Sequence, residues 1–440
     1  MQWPQLLSTT RYGQELRKQG GETSFRSEFQ RDYDRLIFSS AFRRMQNKTQ
    51  VFPLPGSVFV HNRLTHSLEV ASVGRSLGNM VADRISEQYP KEHIDALSEI
   101  GTIVSTACLA HDMGNPPFGH SGEKALSAHF REDKQLKKHY SLNDQQWNDL
   151  ARFEGNANAL RLLTHRFAGW RSGGFSLTYA TLATLIKYPF HSADFTDTSK
   201  YGFFASETET FHKIVHHLEI PQHQDSTRAR HPLVYLVEAA DDISYLIMDL
   251  EDAHKLGIIP AAEAMDLLKA FHPRKGQNRA EEVFKEVTDP NERVSYLRAI
   301  TVNMLAEACA GIFMEHYEAI MAGTFSGSLV SYLPKPLKEP LNMLRQTGYS
   351  RIYNHRKVVE IELAGFNILG TLMNEFISAL DSDTKYHKNI RSLIPGQYQI
   401  NAKTRYEQLR AVIDYLSGMT DVYALEIYRT IKGIEMPSLR

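Results

Sequence analysis

Two histidines and two carboxylates crowd one short stretch: His111 and Asp112, then His120 and Glu123 beyond Gly114-Asn115-Pro116-Pro117-Phe118-Gly119. Each alone reads as easily as a hydrogen-bonded core residue. Together beside a chain break they point to metal or proton chemistry, because buried ionisable groups are costly without partners. His120, with Glu123 one helical turn on, has the form of a proton-transfer group and the carboxylate that orients it. Glu123 would fix the His120 tautomer and raise its basicity. Whether His120 serves as base, acid or both stays open.

His111 and Asp112 have the chemistry of metal ligands, and donors of the same kind recur at His66 and in Asp241-Asp242. Two imidazoles and two carboxylates suit one divalent first-row metal with water completing an octahedral shell. Ligands this far apart in sequence come from different helices, as in bundle sites. Leu233, Leu236, Val237 and Ala240 mark the buried face of a helix. Asp241 falls one turn after Val237, and Asp242 lies about 100° further round. Asp241 is therefore the expected ligand. Tyr245 and Asp249 continue its face and should project into the same cavity. Mn, Mg, Fe, Co, Ni and Zn all remain compatible with the donor set.

Helices must position these groups. Ile100, Ile103, Val104, Ala107 and Cys108 keep the 3.6-residue period of a buried face whose next position is His111. A helix over 95–113 thus points His-Asp inward, with Gly114 as a left-handed cap and Pro116-Pro117 as the stop. A helix from Arg63 to about Tyr89 carries Leu64, Leu68, Ala71, Leu77 and Val81 on one side and turns His66 to the interior. Further helices are expected at 123–130, 145–168, 176–187, 207–219, 233–255, 260–271, 279–286, 290–322, 352–380 and 404–432. Residues 131–144 read as an exposed linker, 189–210 as a surface loop or lid, and 323–340 as a Pro/Gly/Ser-rich break. Short extended runs are expected near 51–60 and 328–333. Residues 25–50 read as one basic amphipathic helix, with Arg26, Arg31, Arg35, Arg43, Arg44 and Lys48 against Glu28, Asp32 and Asp34. Such a segment suits an anionic ligand or a subunit contact.

The 440 residues are ample for a large core, with 42% hydrophobic side chains, and no internal repeat divides them. Fifty basic and 51 acidic groups cancel, so no global field marks a nucleic-acid or membrane protein. Only two cysteines, Cys108 and Cys309, occur, and they read as reduced core residues of a cytoplasmic protein. No signal peptide or membrane-spanning run is evident. The expectation is an all-α fold. It divides into an arm and basic helix over 1–60, a metal-binding core over 61–255, and a helical region over 256–440 completing the same globular unit.

Arg63-Leu-Thr-His-Ser-Leu-Glu69, His111–Glu123 and Glu238-Ala-Ala-Asp-Asp-Ile-Ser-Tyr245 resemble the HD-domain superfamily. More narrowly, with Arg35–Phe52, Phe153-Glu-Gly-Asn156 and Asp414–Asp421, the chain resembles bacterial deoxyguanosine triphosphate triphosphohydrolase-like proteins. The Asn115–Glu123 extension and Gly418-Met-Thr-Asp421 are the selective parts. That resemblance implies metal-dependent attack at the α-phosphorus of a deoxynucleoside triphosphate, dGTP first, releasing deoxynucleoside and tripolyphosphate. It implies His66, His111, Asp112 and Asp241 on the metal, and Arg63, Lys187 and Tyr188 along the phosphate path. Tyr245 and Asp249 would then lie near phosphate or sugar, Gln50 and Val51 at the deoxyribose, and Asn156 near the site. It further implies a homo-oligomer, commonly a hexamer, with an effector nucleotide or single-stranded DNA as further partners. Residues 165–232 and 272–340 match no known pattern, so base preference is unassigned. Two alternatives stand beside this reading: an HD phosphohydrolase for another nucleotide phosphoester, such as a deoxynucleoside monophosphate or cyclic nucleotide, and a nucleotide- or single-stranded-DNA-sensing assembly with weak catalysis.

Overall fold

The computed structural model describes residues 1–16, 25–52, 60–89, 95–170, 172–194, 200–224, 227–272 and 274–435, the side chains of 274–278 excepted. Helices carry the architecture. Among the described residues no strand ladder forms, only isolated bridges such as Thr49 with Asn62. The fold is all-α, as expected.

Helix Arg63–Gln88 begins at a reciprocal cap: the Asn62 side chain accepts from the Thr65 amide, and the Thr65 hydroxyl accepts from the Asn62 amide. Its buried face includes Val70, Gly74, Leu77, Gly78, Val81 and Ile85. Helix Ile100–Ala110 lies against it, almost entirely buried. Small residues make the crossing close. A Cβ on Gly78 would stand 2.7 Å from the Gly101 Cα, and one on Gly74 2.6 Å from the Cys108 Sγ. This crossing sets His66, near the start of one helix, beside His111, just past the end of the other. Helix Val234–Lys255 packs across both and carries Asp241. Helix Pro290–Glu315 backs it; by length and composition it could cross a membrane, but half of that apolar window is buried inside the protein.

A second apolar core gathers helices Gly119–Glu132, Asp144–Ala151, Arg356–Ser378, Arg405–Ser417 and Asp421–Ile431 around Phe130, Leu369, Phe376, Leu409 and Leu416. The turn from His111 to Phe118 joins the two cores.

Several expected elements differ. The basic segment is two helices, Glu28–Ile37 and Ser40–Arg44, broken at Ser39, whose hydroxyl caps the second. Its acids are not all solvated: Asp32 is fully buried on Arg11 at 2.5 Å. Region 145–168 breaks at Arg152–Glu154, because the Glu154 side chain caps a new helix, Gly155–Thr164. Region 404–432 breaks at Gly418–Thr420, where Thr420 caps the last helix. Region 290–322 divides at His316. Linker 131–144 contains a short helix, Gln135–His139, and buries Tyr140 and Leu142. In 189–210, His191, Ser192, Tyr201, Phe203 and Phe204 are buried, so the described part is core and not a surface lid. The 323–340 break hides helix Lys335–Thr347. Pro336 is tolerated in its first turn, and Leu337, Pro340, Leu341 and Leu344 bury one face. The run 328–333 is a 3-10 turn, Leu329–Tyr332, and most of 51–60 falls outside the described residues.

His61 ties the start of the long helix to helix Val234–Lys255. Its Nδ1 donates to Asp252 at 2.8 Å and its Nε2 to Glu69 at 3.0 Å. Burial opposes the charge, but the hydrogen bonds and charges of Asp252 and Glu69 outweigh it and push the pKa from 6.5 up to about 10. The folded state therefore holds a proton that the unfolded chain releases. The stabilisation is complete below pH 6.5 and fades as pH rises towards 10. Thermal denaturation across that range should show the wild-type midpoint falling with pH and His61→Gln falling much less. Gly78→Ala should lower stability by about 1–3 kcal/mol in chemical denaturation, since its Cβ meets backbone that cannot step aside.

Candidate active site

His66, His111 and Asp241 converge from three elements, with donor atoms within 4.8 Å of one another. Asp241 Oδ1 lies 3.4 Å from His66 Nε2 and 3.5 Å from His111 Nε2. The imidazoles meet edge to face at 5.5 Å. His66 is 2% exposed and its Nε2 has no hydrogen-bond partner, an orphan that a metal would satisfy. His111 Nδ1 donates to the Cys108 carbonyl at 2.6 Å, which leaves Nε2 facing Asp241 as the nitrogen from which a metal would displace the proton. Asp112 stands beside this trio. Its Oδ1 is 3.7 Å from His111 Nε2 and accepts from Asn115, and its Oδ2 accepts from Arg63 at 2.6 Å. Burial pushes both carboxyls up, but Arg63 and His111 beside Asp112, and the two histidines beside Asp241, outweigh it and hold both below the usual range. Burial likewise opposes the charge on His111, yet Asp112 and Asp241 push it up to about 9. Electron-pair donors thus outnumber cations at this point, and the donor set fits a divalent metal.

The turn that follows differs from the expected one. Gly114 is not left-handed; it is glycine because a Cβ would sit 2.1 Å from the Gly155 carbonyl. The left-handed residues are Phe118 (φ 60) and Gly119 (φ 57). A strained non-glycine residue needs outside support. The Phe118 amide donates to Asp421 Oδ1 at 2.9 Å, and its ring packs where Gly365 leaves room. The other Asp421 oxygen accepts from the Thr49 amide at 2.8 Å and its hydroxyl at 2.5 Å. Lys48 Nζ donates to the carbonyls of Asn115 at 2.6 Å and Ser417 at 2.9 Å. The turn is therefore pinned from behind by residues 48–49 and 417–421.

Helix Gly119–Glu132 starts at this turn, so His120 lies on its first turn and not in a loop. His120 Nδ1 donates to Glu123 Oε2 at 3.0 Å, and the Gly155 amide donates to the other oxygen at 2.8 Å. His120 keeps 62% of its side chain exposed, while Glu123 is buried. Burial pushes the Glu123 carboxyl up, but the His120 bond and the Lys200 charge outweigh it and hold it below the usual range. It stays an anion that orients the ring.

Two cavities open on either side of His120 and Asp241. One, about 280 Å³, is lined by Arg63, Asn156, Lys187, Tyr188 and Lys200. The other, about 560 Å³, is lined by Gln50, Val51, Tyr245, Arg345, Tyr349 and Tyr353. Lys187 pairs with Glu238 at 3.3 Å, and Lys200 with Glu154 at 3.2 Å. Arg63 approaches closely because Gly119 lacks a Cβ, which would stand 2.7 Å from its guanidinium. Asp249 does not line either cavity. It lies one layer back and accepts from the Tyr353 hydroxyl at 2.8 Å, while the rings of Tyr245 and Tyr353 stack at 5.7 Å. Tyr353, the residue that follows the π-helical turn Gly348–Ile352, lines the larger cavity in its place.

Lys200, Arg345 and Tyr353 are absent from the sequence-based set. Arg345 lies in helix Lys335–Thr347, which its prolines masked, and Tyr353 stands at the start of the expected 352–380 helix, between the turn Gly348–Ile352 and the observed helix Arg356–Ser378. Lys200 sits in a polar stretch without periodicity, and only its chemistry could have flagged it.

Residues 63–150 match the HD domain, and residues 332–430 match the phosphohydrolase-associated domain. The His-Asp turn, its helical supports and the C-terminal anchor thus define an HD-domain phosphohydrolase fold. A protein named deoxyguanosinetriphosphate triphosphohydrolase-like from Synechocystis is 38% identical, covering 99% of this chain and 100% of the relative. One of the same name from Pseudomonas aeruginosa is 37% identical over the whole of both. A Yersinia enterocolitica protein named deoxyguanosinetriphosphate triphosphohydrolase is 29% identical over 92% of this chain and 94% of its own. The chain belongs to the deoxyguanosinetriphosphate triphosphohydrolase-like family.

Asp241 faces both imidazoles, whereas Asp242 lines the larger cavity, and burial and the neighbouring Asp241 push it up to about 6 against the charge of Lys187. Manganese binding followed by calorimetry should be lost in Asp241→Ala and retained in Asp242→Ala.

Proposed function

We propose that this protein is a metal-dependent deoxynucleoside triphosphohydrolase that releases tripolyphosphate. The observation that carries the reading is the junction of the two cavities at His120 and Asp241. One side offers the cations Arg63, Lys187 and Lys200, suited to a triphosphate. The other offers tyrosine faces and the Gln50 amide, whose oxygen is buried without a partner, suited to a nucleoside. The bond at the boundary between such halves is the one joining the 5′-oxygen to the α-phosphorus.

A divalent metal held by His66, His111, Asp112 and Asp241 would polarise an α-phosphate oxygen and make a bound water more acidic. Arg63 orients Asp112 and offers its remaining guanidinium edge to phosphate oxygens. His120 presents Nε2 at the scissile bond, because Glu123 engages Nδ1 and fixes the tautomer. It can pass a proton to the leaving 5′-oxygen or take one from the attacking water. Lys187, Tyr188 and Asn156 line the phosphate path, and Lys200 joins them. Gln50 and Val51 meet the sugar, Tyr245 and Tyr353 flank it, and Asp249 holds Tyr353. Guanine is the first base to test, because the relatives carry its name.

Product analysis with the four dNTPs and GTP, with manganese or chelator, tests the reading: deoxynucleoside plus tripolyphosphate is expected, and monoester hydrolysis alone would refute it. His120→Ala should keep metal and nucleotide binding and lose about 10²–10⁴-fold in turnover. Near-full activity in that variant would remove His120 from proton transfer.

A further inference from the structure

A third cavity, of about 50 Å³, reaches Met113 of the catalytic turn and shares no lining residue with the two described above. It is lined by Arg44, Lys48, Arg161, Asp414, Trp170 and Tyr398, among others. We infer that this cavity is a binding site for a phosphate-type oxyanion, held by Arg44 and Lys48.

The charges around it do not balance locally. Asp414 is the one carboxylate on the wall, and Arg161 already engages it at 2.7 and 2.8 Å while also holding Glu207. Arg44 is half-buried and makes no hydrogen bond or ion pair with any described residue. Lys48 is 3% exposed and faces only two carbonyls, those of Asn115 and Ser417. An ammonium has three protons to donate, so one is left over. Arg44 and Lys48 share the cleft, and neither forms an ion pair with a described residue, so they repel each other and an arriving anion relieves that repulsion. Burial pushes Lys48 down to about 7, with the charges of Arg44 and Arg63 acting in the same direction and those of Asp421 and Asp112 against it.

Size restricts the ligand. At about 50 Å³ the free space is several-fold smaller than either cavity at His120, which suits a small oxyanion head. Trp170 and Tyr398 stand on the same wall, where a flat group attached to that head could lie. The chemistry is therefore that of a phosphate, either free or at the end of a nucleotide. Lys48 would share its protons between the anion and the Asn115 carbonyl, which places the ligand one hydrogen bond from the catalytic turn.

The test is equilibrium binding of radiolabelled inorganic phosphate to the full chain, to Arg44→Ala and to Arg44→Lys, with deoxyadenosine monophosphate run in parallel. The wild type should show a class of sites that weakens about tenfold or more in Arg44→Ala and returns in Arg44→Lys. Phosphate bound among Arg63, Lys187 and Lys200 does not respond to Arg44, so the difference between variants reports this site. Equal Arg44-dependent affinity for both ligands identifies the free oxyanion, and tighter Arg44-dependent binding of the monophosphate identifies a nucleotide. Absence of phosphate binding, or a curve unchanged by Arg44→Ala, overturns the inference. Arg44 touches neither the metal ligands nor His120, so turnover in Arg44→Ala without added phosphate should match the wild type and confirm that the variant is folded.

Discussion

Two imidazoles and a carboxylate have to meet inside an apolar core, and the fold is arranged around that requirement. Buried donors of this kind are stable only when each faces something that wants its lone pair or its charge. His66 Nε2 has no hydrogen-bond donor to face, and Asp241 faces two rings. Bringing them together demands helices that approach more closely than ordinary side chains allow. Gly74, Gly78 and Gly101 supply that approach. The apolar residues around them exclude water, which strengthens every charge interaction at the cluster.

A second constraint divides the site. The metal-type donors belong to the core around the long N-terminal helices, whereas His120 and Glu123 rise from a helix of the other core. The turn through Phe118 carries the chain from one to the other. Its left-handed backbone is held by Asp421, its Asn115 carbonyl by Lys48, and its close passage past residue 155 by the absence of a side chain at Gly114. The geometry between metal donors and proton donor therefore depends on residues from both ends of the chain.

Much of this was legible before any coordinates. The apolar period ending on His111 located the helix end, and the face shared by Val237 and Asp241 chose between adjacent aspartates. Both follow from helical geometry alone. What failed were local signals that tertiary contacts overrule. Pro336 and Pro340 read as breakers, yet one sits in a first turn and the other on a buried face. Gly114 read as a left-handed cap because glycine usually marks one, but a neighbouring backbone set the requirement. Asp249 was placed in the cavity by periodicity, which cannot see that Tyr353, distant in sequence, occupies the space in front of it. Gly418-Met-Thr-Asp421 stood out as a pattern, and only the structure gave its physical work, the clamp on Thr49 and Phe118.

That clamp bears on the order in which the protein can be made. Residues 49 and 118 leave the ribosome well before the carboxylate that locks them together, residue 421, which follows Phe118 by 303 positions. Until it arrives, the nascent chain can bury its first core and gather its metal donors, while the turn that places His120 lacks its fastening. Completion of the site is thereby deferred until residue 421 has been made.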